Sequence, residues 1–180
     1  MCAGNFGTTT RPLDLLQAFL QLGLKDVSLL FVGSGPLENE MRLCAEGRGS
    51  VRFAPFQNQS LMPRTYATGD IFVLPSFGAG ETWGLSVNEA MCLSLPIIAS
   101  SHVGCVADLV QHNRNGIVFP AGDVGVLADC LREALGDPSR LLDWGEASNK
   151  IIAGYCYKQV TEGLLLPLQH SGVAVARKPE

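Results

Sequence analysis

The feature that most constrains the fold is a regular alternation of short apolar runs with longer amphipathic segments. The run VSLLFV, residues 27–32, is almost continuously apolar and ends in a GSGP turn, the pattern of a strand buried on both faces. In residues 12–24 the apolar side chains recur instead at helical spacing, and Pro12 suits a first helical turn. Strands and helices that alternate in this way indicate βαβ units and a parallel sheet.

The same alternation continues along most of the chain. Strands are predicted at residues 27–32, 51–53, 71–74, 96–99 and 117–119, and helices at 12–24, 37–46, 60–67, 85–93, 106–110, 124–135, 139–153 and 157–168. Residues 1–3 are too few for a full strand before Gly4, so we expect a clipped first strand and a fragment of a longer protein. The predicted class is α/β, a doubly wound Rossmann-like parallel sheet of about six strands with C-terminal helices. One domain is expected over residues 1–170, followed by a flexible tail at 171–180.

Composition excludes several kinds of function. Hydrophobic residues make up 47% of the chain, yet no apolar stretch approaches the roughly 20 residues of a membrane span. A net charge of −4 without a basic stripe argues against nucleic acid as a partner. The first eleven residues do not resemble a signal peptide, which by default predicts a cytoplasmic protein. Six scattered cysteines without a C-x-x-C pair indicate buried reduced thiols, and no metal is expected.

Ligands of an open parallel sheet bind outside the carboxyl ends of its strands. Three loops rich in small residues follow predicted strands: GSGP with Gly33 and Gly35, PSFGAGETWG at 75–84, and SSHVG at 100–104. A helix starting near Leu85 would aim its N-terminus at an anion over Gly80 to Gly84, where a diphosphate would fit. A glycine turn alone is weak evidence, because glycine after a strand often serves a steric purpose.

Two acids strengthen this hypothesis. Glu81 lies just before the predicted helix and Glu89 about one turn into it, so both should lie near the same strand end. Carboxylates accept hydrogen bonds from the vicinal hydroxyls of ribose and hexoses. The alternative is that Glu81 caps the helix and Glu89 is a solvated surface acid.

The string LPSFGAGETWGLSVNEAMCLSLPIIAS resembles the C-terminal domain of GT4-like, GT-B-fold retaining glycosyltransferases (glycosyl transferases group 1), whose E-x7-E motif matches Glu81 and Glu89. The resemblance extends over nearly the whole chain, through RPLDLLQAF, LLFVGSGP, VRFAPF, YATGDIFVLPS and ADLVQHNRNGIVFPAGD. It implies the nucleotide-sugar-binding half of a GT-B fold, without the N-terminal acceptor-binding domain.

The resemblance also implies roles for individual residues. Glu89 would bind the ribose hydroxyls, Glu81 would contact the donor sugar as the catalytic residue, and the backbone from Thr82 to Leu85 would hold sugar and diphosphate. The loop from Phe53 to Phe56 would flank the base. Trp83 would pack either under the donor or in the core, whereas His102 is expected to make a loop hydrogen bond and not to act in catalysis. The substrate-binding set is then Arg11, Gly33, Gly35, Phe53, Phe56, Gly80, Thr82, Trp83, Gly84, Leu85 and Glu89.

The sequence departs from the family pattern after the first strand. Members of the family carry two basic residues there, in a pattern like G-R-x-x-x-x-K, that neutralise the departing diphosphate. This chain has Asn5 and Thr10 at the matching positions. Arg11, one position further on, is the candidate substitute.

For the complete enzyme, the resemblance implies retaining transfer of a hexosyl unit from a UDP-, GDP- or ADP-sugar to a sugar or lipid-linked acceptor in glycan biosynthesis, without a metal or other cofactor. It leaves room for peripheral membrane association of the full-length enzyme, and the isolated domain is expected to be inactive. Two other readings stay open: a diverged, non-catalytic nucleotide-binding or interaction module, and a flavodoxin-like receiver in which both acids are surface residues.

Overall fold

A computed structural model describes residues 1–170 as six parallel strands and eight helices. Strands β1 (Cys2–Asn5), β2 (Leu29–Ser34) and β3 (Val51–Ala54) form one sheet in that order, and β4 (Phe72–Leu74), β5 (Ile97–Ser100) and β6 (Gly116–Phe119) form a second. The helices are α1 (Pro12–Leu22), α2 (Glu38–Cys44), α3 (Met62–Tyr66), α4 (Leu85–Cys92), α5 (Val106–Leu109), α6 (Val124–Leu135), α7 (Pro138–Ile152) and α8 (Tyr157–His170). The predicted order of elements is confirmed, with end shifts of a few residues.

The two sheets adjoin at Met1, directly before β1. Met1 accepts a backbone hydrogen bond from Val73 at 2.9 Å, and its nitrogen donates to the Ile71 carbonyl at 2.5 Å. The strand order across both sheets is therefore 3-2-1-4-5-6, the Rossmann order and not the flavodoxin order 2-1-3-4-5. The predicted sheet of about six strands thus exists as two sheets of three that adjoin.

The first strand extends further than the sequence predicts. Residues Cys2 to Asn5 pair in parallel with Phe31 to Ser34 of β2. Gly4 and Asn5, which the sequence placed in a loop, belong to this strand because β2 supplies a partner for their backbone groups. Strand formation here is decided by pairing, not by local side-chain pattern.

Helices cover both faces of the sheets, which is why the strands read as continuous apolar runs. On one face α1, α2 and α6 pack over a core that includes Leu15, Phe31, Met41, Ile98 and Leu127. On the other face α3, α4 and α5 pack over a core that includes Tyr66, Phe72, Val87, Ile97 and Leu109. The second face carries the candidate site.

Burial divides the cysteines into two groups. Cys2, Cys105 and Cys130 are buried free thiols, as predicted, whereas Cys44, Cys92 and Cys156 are exposed, which the sequence did not predict. Among the helices within residues 1–170, none is long and apolar enough to cross a lipid bilayer. The predicted flexible tail at 171–180 lies outside the described residues.

Candidate functional site

Three loops at the carboxyl ends of the strands are joined by backbone hydrogen bonds. The amide of Phe77, after β4, donates to the carbonyl of Thr9, after β1, at 2.7 Å. The amide of Gly104, after β5, donates to the carbonyl of Glu81 at 3.1 Å, and Cys105 donates to Trp83 at 2.8 Å. The loop that contains Glu81 is thus bonded to the loop after β1 on one side and to the loop after β5 on the other.

The glycines of these loops, and the two at the end of β2, are in positions where a side chain would not fit. A Cβ atom on Gly104 would lie 2.0 Å from the Thr82 carbonyl oxygen, and one on Gly80 would lie 2.6 Å from the Thr9 methyl carbon. A Cβ on Gly33 would lie 1.9 Å from the Gly4 carbonyl oxygen, and one on Gly35 would lie 2.6 Å from the Phe6 nitrogen. Their small size lets neighbouring loops and strands approach closely, so these glycines by themselves are not evidence of a ligand.

Helix α4 begins at Leu85 after Gly84, whose φ of 97° is in the left-handed region. Within residues 1–170 no side chain caps this helix start. The Glu81 carboxylate instead accepts a hydrogen bond from the buried Ser76 hydroxyl at 3.2 Å. The alternative in which Glu81 caps the helix is therefore wrong, and the positive end of α4 is left open to an anion.

Glu89 lies in the second turn of α4 and lines a cleft between α3 and α4. The cleft has a volume of about 280 Å³ and is lined by Ala3, Gly4, Val32, Phe56, Gln57, Gln59, Met62, Tyr66, Ser86 and Glu89. Glu89 is half-buried, and the Tyr66 hydroxyl donates to its Oε2 atom at 2.8 Å. The alternative in which Glu89 is a solvated surface acid is therefore wrong.

The phenol of Tyr66 is the donor in this contact. Burial raises its pKa well above the ordinary range, and the hydrogen bond to Glu89 and the negative charge of Glu89 raise it further. Tyr66 therefore stays protonated and keeps donating. The sequence reasoning did not single out this residue, because neither spacing nor composition links positions 66 and 89.

The two aromatic residues predicted beside the base are separated. Phe56, whose side chain is 71% exposed, lines the cleft with Glu89. Phe53 lies in β3, where its ring stacks on Phe31 with centroids 5.5 Å apart and lies under the Arg42 guanidinium at 4.6 Å. Because Phe31 belongs to the core under α1 and α2, and Arg42 lies on α2, Phe53 faces this side of the sheet. The structure thus brings Phe56 to the cleft and places Phe53 elsewhere.

The remaining predicted residues lie around the β4–α4 loop. Trp83 is half-buried against the core beneath α4, and its Nε1 donates to Asn88 Oδ1 at 3.0 Å. Leu85 is 69% exposed at the start of the helix. His102 Nδ1 accepts from the Gly78 amide at 3.0 Å, which confirms the expected loop hydrogen bond.

Arg11 and Thr10 differ in what they offer a ligand. The Thr10 hydroxyl has the Asn5 carbonyl and, at 3.1 Å, the Gly7 carbonyl as acceptors for its one proton, so it is used in holding its own loop. Arg11 pairs with Asp14, Nε to Oδ2, at 2.8 Å, and its guanidinium lies 5.5 Å from the centre of the Phe77 ring. Arg11 thus provides a partly exposed cation where the β1–α1 and β4–α4 loops meet. In the described residues no three His, Cys, Asp or Glu side chains are grouped to hold a metal.

Comparison with known proteins gives a consistent set of relatives. The sequence model of the family described as glycosyl transferases group 1 matches residues 1–137. Sulfoquinovosyl transferase SQD2 of Arabidopsis thaliana is 30% identical over 154 residues, which is 84% of this chain and 29% of that protein. The chain thus spans less than a third of the length of this relative.

Two solved structures are similar in fold. The structure of a mutant of S. aureus TarM in complex with fondaparinux, α-GlcNAc-glycerol and UDP has a TM-score of 0.79 at 20% identity, and the match covers 92% of this chain and 34% of that one. The C-terminal domain of the glycosyl transferase group 1 family protein LpcC from Francisella tularensis has a TM-score of 0.75 at 18% identity, and the match covers 84% of this chain and 83% of that one. At sequence identities of 18–20%, this structural similarity shows that the fold is shared.

Proposed function

Because the chain belongs to the glycosyl transferases group 1 family, we propose that it is the donor-binding part of a glycosyltransferase and that it binds a nucleoside diphosphate sugar. One observation carries the proposal. Phe56 and Glu89 come from different parts of the sequence and line the same cleft, next to the uncapped start of α4. An aromatic ring, a carboxylate and a helix N-terminus match the base, ribose and diphosphate of such a donor.

The cleft between α3 and α4 would take the nucleoside. Its volume of about 280 Å³ lies just below the range of about 300–1,000 Å³ for pockets of drug-sized ligands. A base would stack on the exposed Phe56 ring, and the ribose hydroxyls would donate to the Glu89 carboxylate.

The diphosphate and sugar would lie over the β4–α4 loop. The free N–H groups at the start of α4 favour phosphate oxygens, and the Arg11 guanidinium supplies a full positive charge at the adjoining loop. Glu81, held by Ser76, would accept hydrogen bonds from the hydroxyls of the donor sugar.

In the complete protein we propose retaining transfer of a hexosyl unit to a sugar or lipid-linked acceptor. The bond from the sugar C1 to the diphosphate oxygen breaks with its electron pair going to the leaving diphosphate. C1 forms a bond to the oxygen of an acceptor hydroxyl, whose proton passes to the leaving diphosphate. Charge develops on the diphosphate, where α4 and Arg11 stabilise it. We propose that the acceptor site lies outside these residues in the complete protein.

Calorimetric titration of the 180-residue chain with UDP, GDP and ADP and their sugar conjugates tests the donor site. We expect saturable binding of one nucleotide, and loss of binding by about tenfold or more in Glu89→Ala. Glu133→Ala, which removes an acid from the exposed surface of α6, is the matched control and should bind as the wild type does. Binding of no nucleotide would contradict the proposal.

A second candidate function is a diverged module that binds a nucleotide without catalysis. The observation that favours it is the pair of neutral residues Asn5 and Thr10, with the Thr10 hydroxyl bonded to its own loop. Fusion to the acceptor domain of a related enzyme separates the two candidates, because sugar transfer by the chimera supports the enzyme. A chimera that binds the donor without transferring sugar supports the module.

A further inference from the structure

Tyr66 is the last residue of α3, and its hydroxyl crosses to Glu89 on α4. The hydrogen bond to Oε2 measures 2.8 Å and joins residues 23 positions apart. The side chain is 1% exposed, and its ring packs edge-on against Phe72 of β4 with centroids 5.6 Å apart. The core therefore fixes the ring, and Tyr66 also lines the cleft.

This contact restricts the Glu89 carboxylate before any ligand arrives. Tyr66 donates to one oxygen, Oε2, and among the described side chains no hydrogen bond to the other oxygen, Oε1, is formed. A side chain that a ligand must order loses rotamer freedom on binding, whereas one already held loses less. The arrangement thus leaves one oriented acceptor in the cleft.

We infer that Tyr66 is a positioning residue for the donor: it holds Glu89 Oε2 so that Oε1 accepts from ribose hydroxyls, and it thereby sets the preference for a ribonucleoside diphosphate. The inference rests on the proposed function and deepens it, since it names the part of the ligand that the Tyr66 and Glu89 pair distinguishes. Tyr66 touches no reacting atom, and its effect passes through Glu89.

The merely structural alternative is that Tyr66 only ties α3 to α4. That role would affect every ligand of the cleft equally, whether or not it carries ribose hydroxyls. The positioning role affects only ligands whose hydroxyls reach Glu89. Comparing ribose and dideoxyribose forms of the same nucleotide therefore separates the two roles.

The experiment titrates the 180-residue chain with UDP, GDP and ADP and with the 2′,3′-dideoxy form of each. Tyr66→Phe keeps the ring against Phe72 and removes only the hydroxyl, and water can replace that hydroxyl at half-buried Glu89, so we expect this variant to fold. Tyr155→Phe is the matched control, because it removes the hydroxyl of an exposed tyrosine that donates to the Asp108 carbonyl at 3.4 Å, outside the cleft.

We expect the wild type to prefer the ribose form by about tenfold, as a hydrogen bond to a charged group allows. Tyr66→Phe should bind the ribose form about fivefold more weakly and the dideoxy form unchanged, and Tyr155→Phe should bind both as the wild type does. Equal weakening of both forms, or no change in either, would overturn the inference while leaving the donor site intact. A wild type that binds no nucleotide would overturn the proposed function and the inference with it.

Discussion

The two acids of the motif differ in what holds them. Glu81 lies in a loop. Its carboxylate accepts a hydrogen bond from the Ser76 hydroxyl, and its backbone carbonyl accepts one from the Gly104 amide. Glu89 lies on a helix and is bonded to Tyr66. Each carboxylate is thus oriented by a neutral hydroxyl, which leaves its charge available to a polyhydroxylated ligand.

Arg11 is the residue on which the proposed diphosphate contact depends. We expect Arg11→Gln to weaken UDP binding by about tenfold, because a charge-assisted hydrogen bond to phosphate is lost. Binding of uridine, which has no phosphate, should be unchanged. Stability should change by less than about 1 kcal/mol, because the pair with Asp14 is partly exposed.

Paired calorimetric titrations with UDP and uridine check this prediction. Arg114→Gln is the control, because Arg114 lies in the exposed turn before β6, away from the three loops. Equal loss of UDP and uridine affinity would mean that Arg11 acts on the shape of its loop, and unchanged affinity would exclude Arg11 as the substitute cation.

At the scale of elements, the site depends on how closely the β4–α4 and β5–α5 loops approach. Gly104 and Thr82 meet so closely that an added Cβ would lie 2.0 Å from a backbone oxygen. Backbone atoms cannot move aside as the end of a side chain can. The distance between these loops therefore decides where Glu81 lies.

Gly104→Ala should destabilise the protein by about 1–3 kcal/mol, the usual cost of overpacking. It should also weaken nucleotide binding, because the segment around Glu81 must shift. Urea unfolding followed by circular dichroism measures the first effect. Gly49→Ala is the control, since a Cβ there meets nothing within 4 Å, and equal stability of the two variants would contradict the proposed close approach.

At the scale of the whole molecule, burial of thiols links stability to pH. Burial raises the pKa of Cys2 from 9.0 to about 12, and burial is also the main cause that raises the pKa of Cys105 and Cys130 to about 11. The folded chain therefore keeps protons that the unfolded thiols lose above about pH 9. The stabilisation is fully present below that pH and is lost as the pH rises through about 11 to 12.

We therefore expect the urea midpoint to fall as the pH rises from about 9 to 11. Unfolding curves across this range measure it. Cys105→Ala should reduce the alkaline slope, whereas Cys92→Ala, which removes an exposed thiol, should not. A midpoint that stays constant to about pH 11 would contradict the burial of these thiols.

The sequence by itself determined the order of the elements, the class of the fold and the place of Glu89 on a helix next to a glycine-rich loop. These features are local, because periodicity and turn residues act over a few positions. Only the tertiary structure decided that Gly4 and Asn5 extend β1, that Phe53 faces away from the cleft while Phe56 lines it, and that Tyr66 holds Glu89. Those outcomes depend on strand pairing and on contacts between distant segments, which no local pattern encodes.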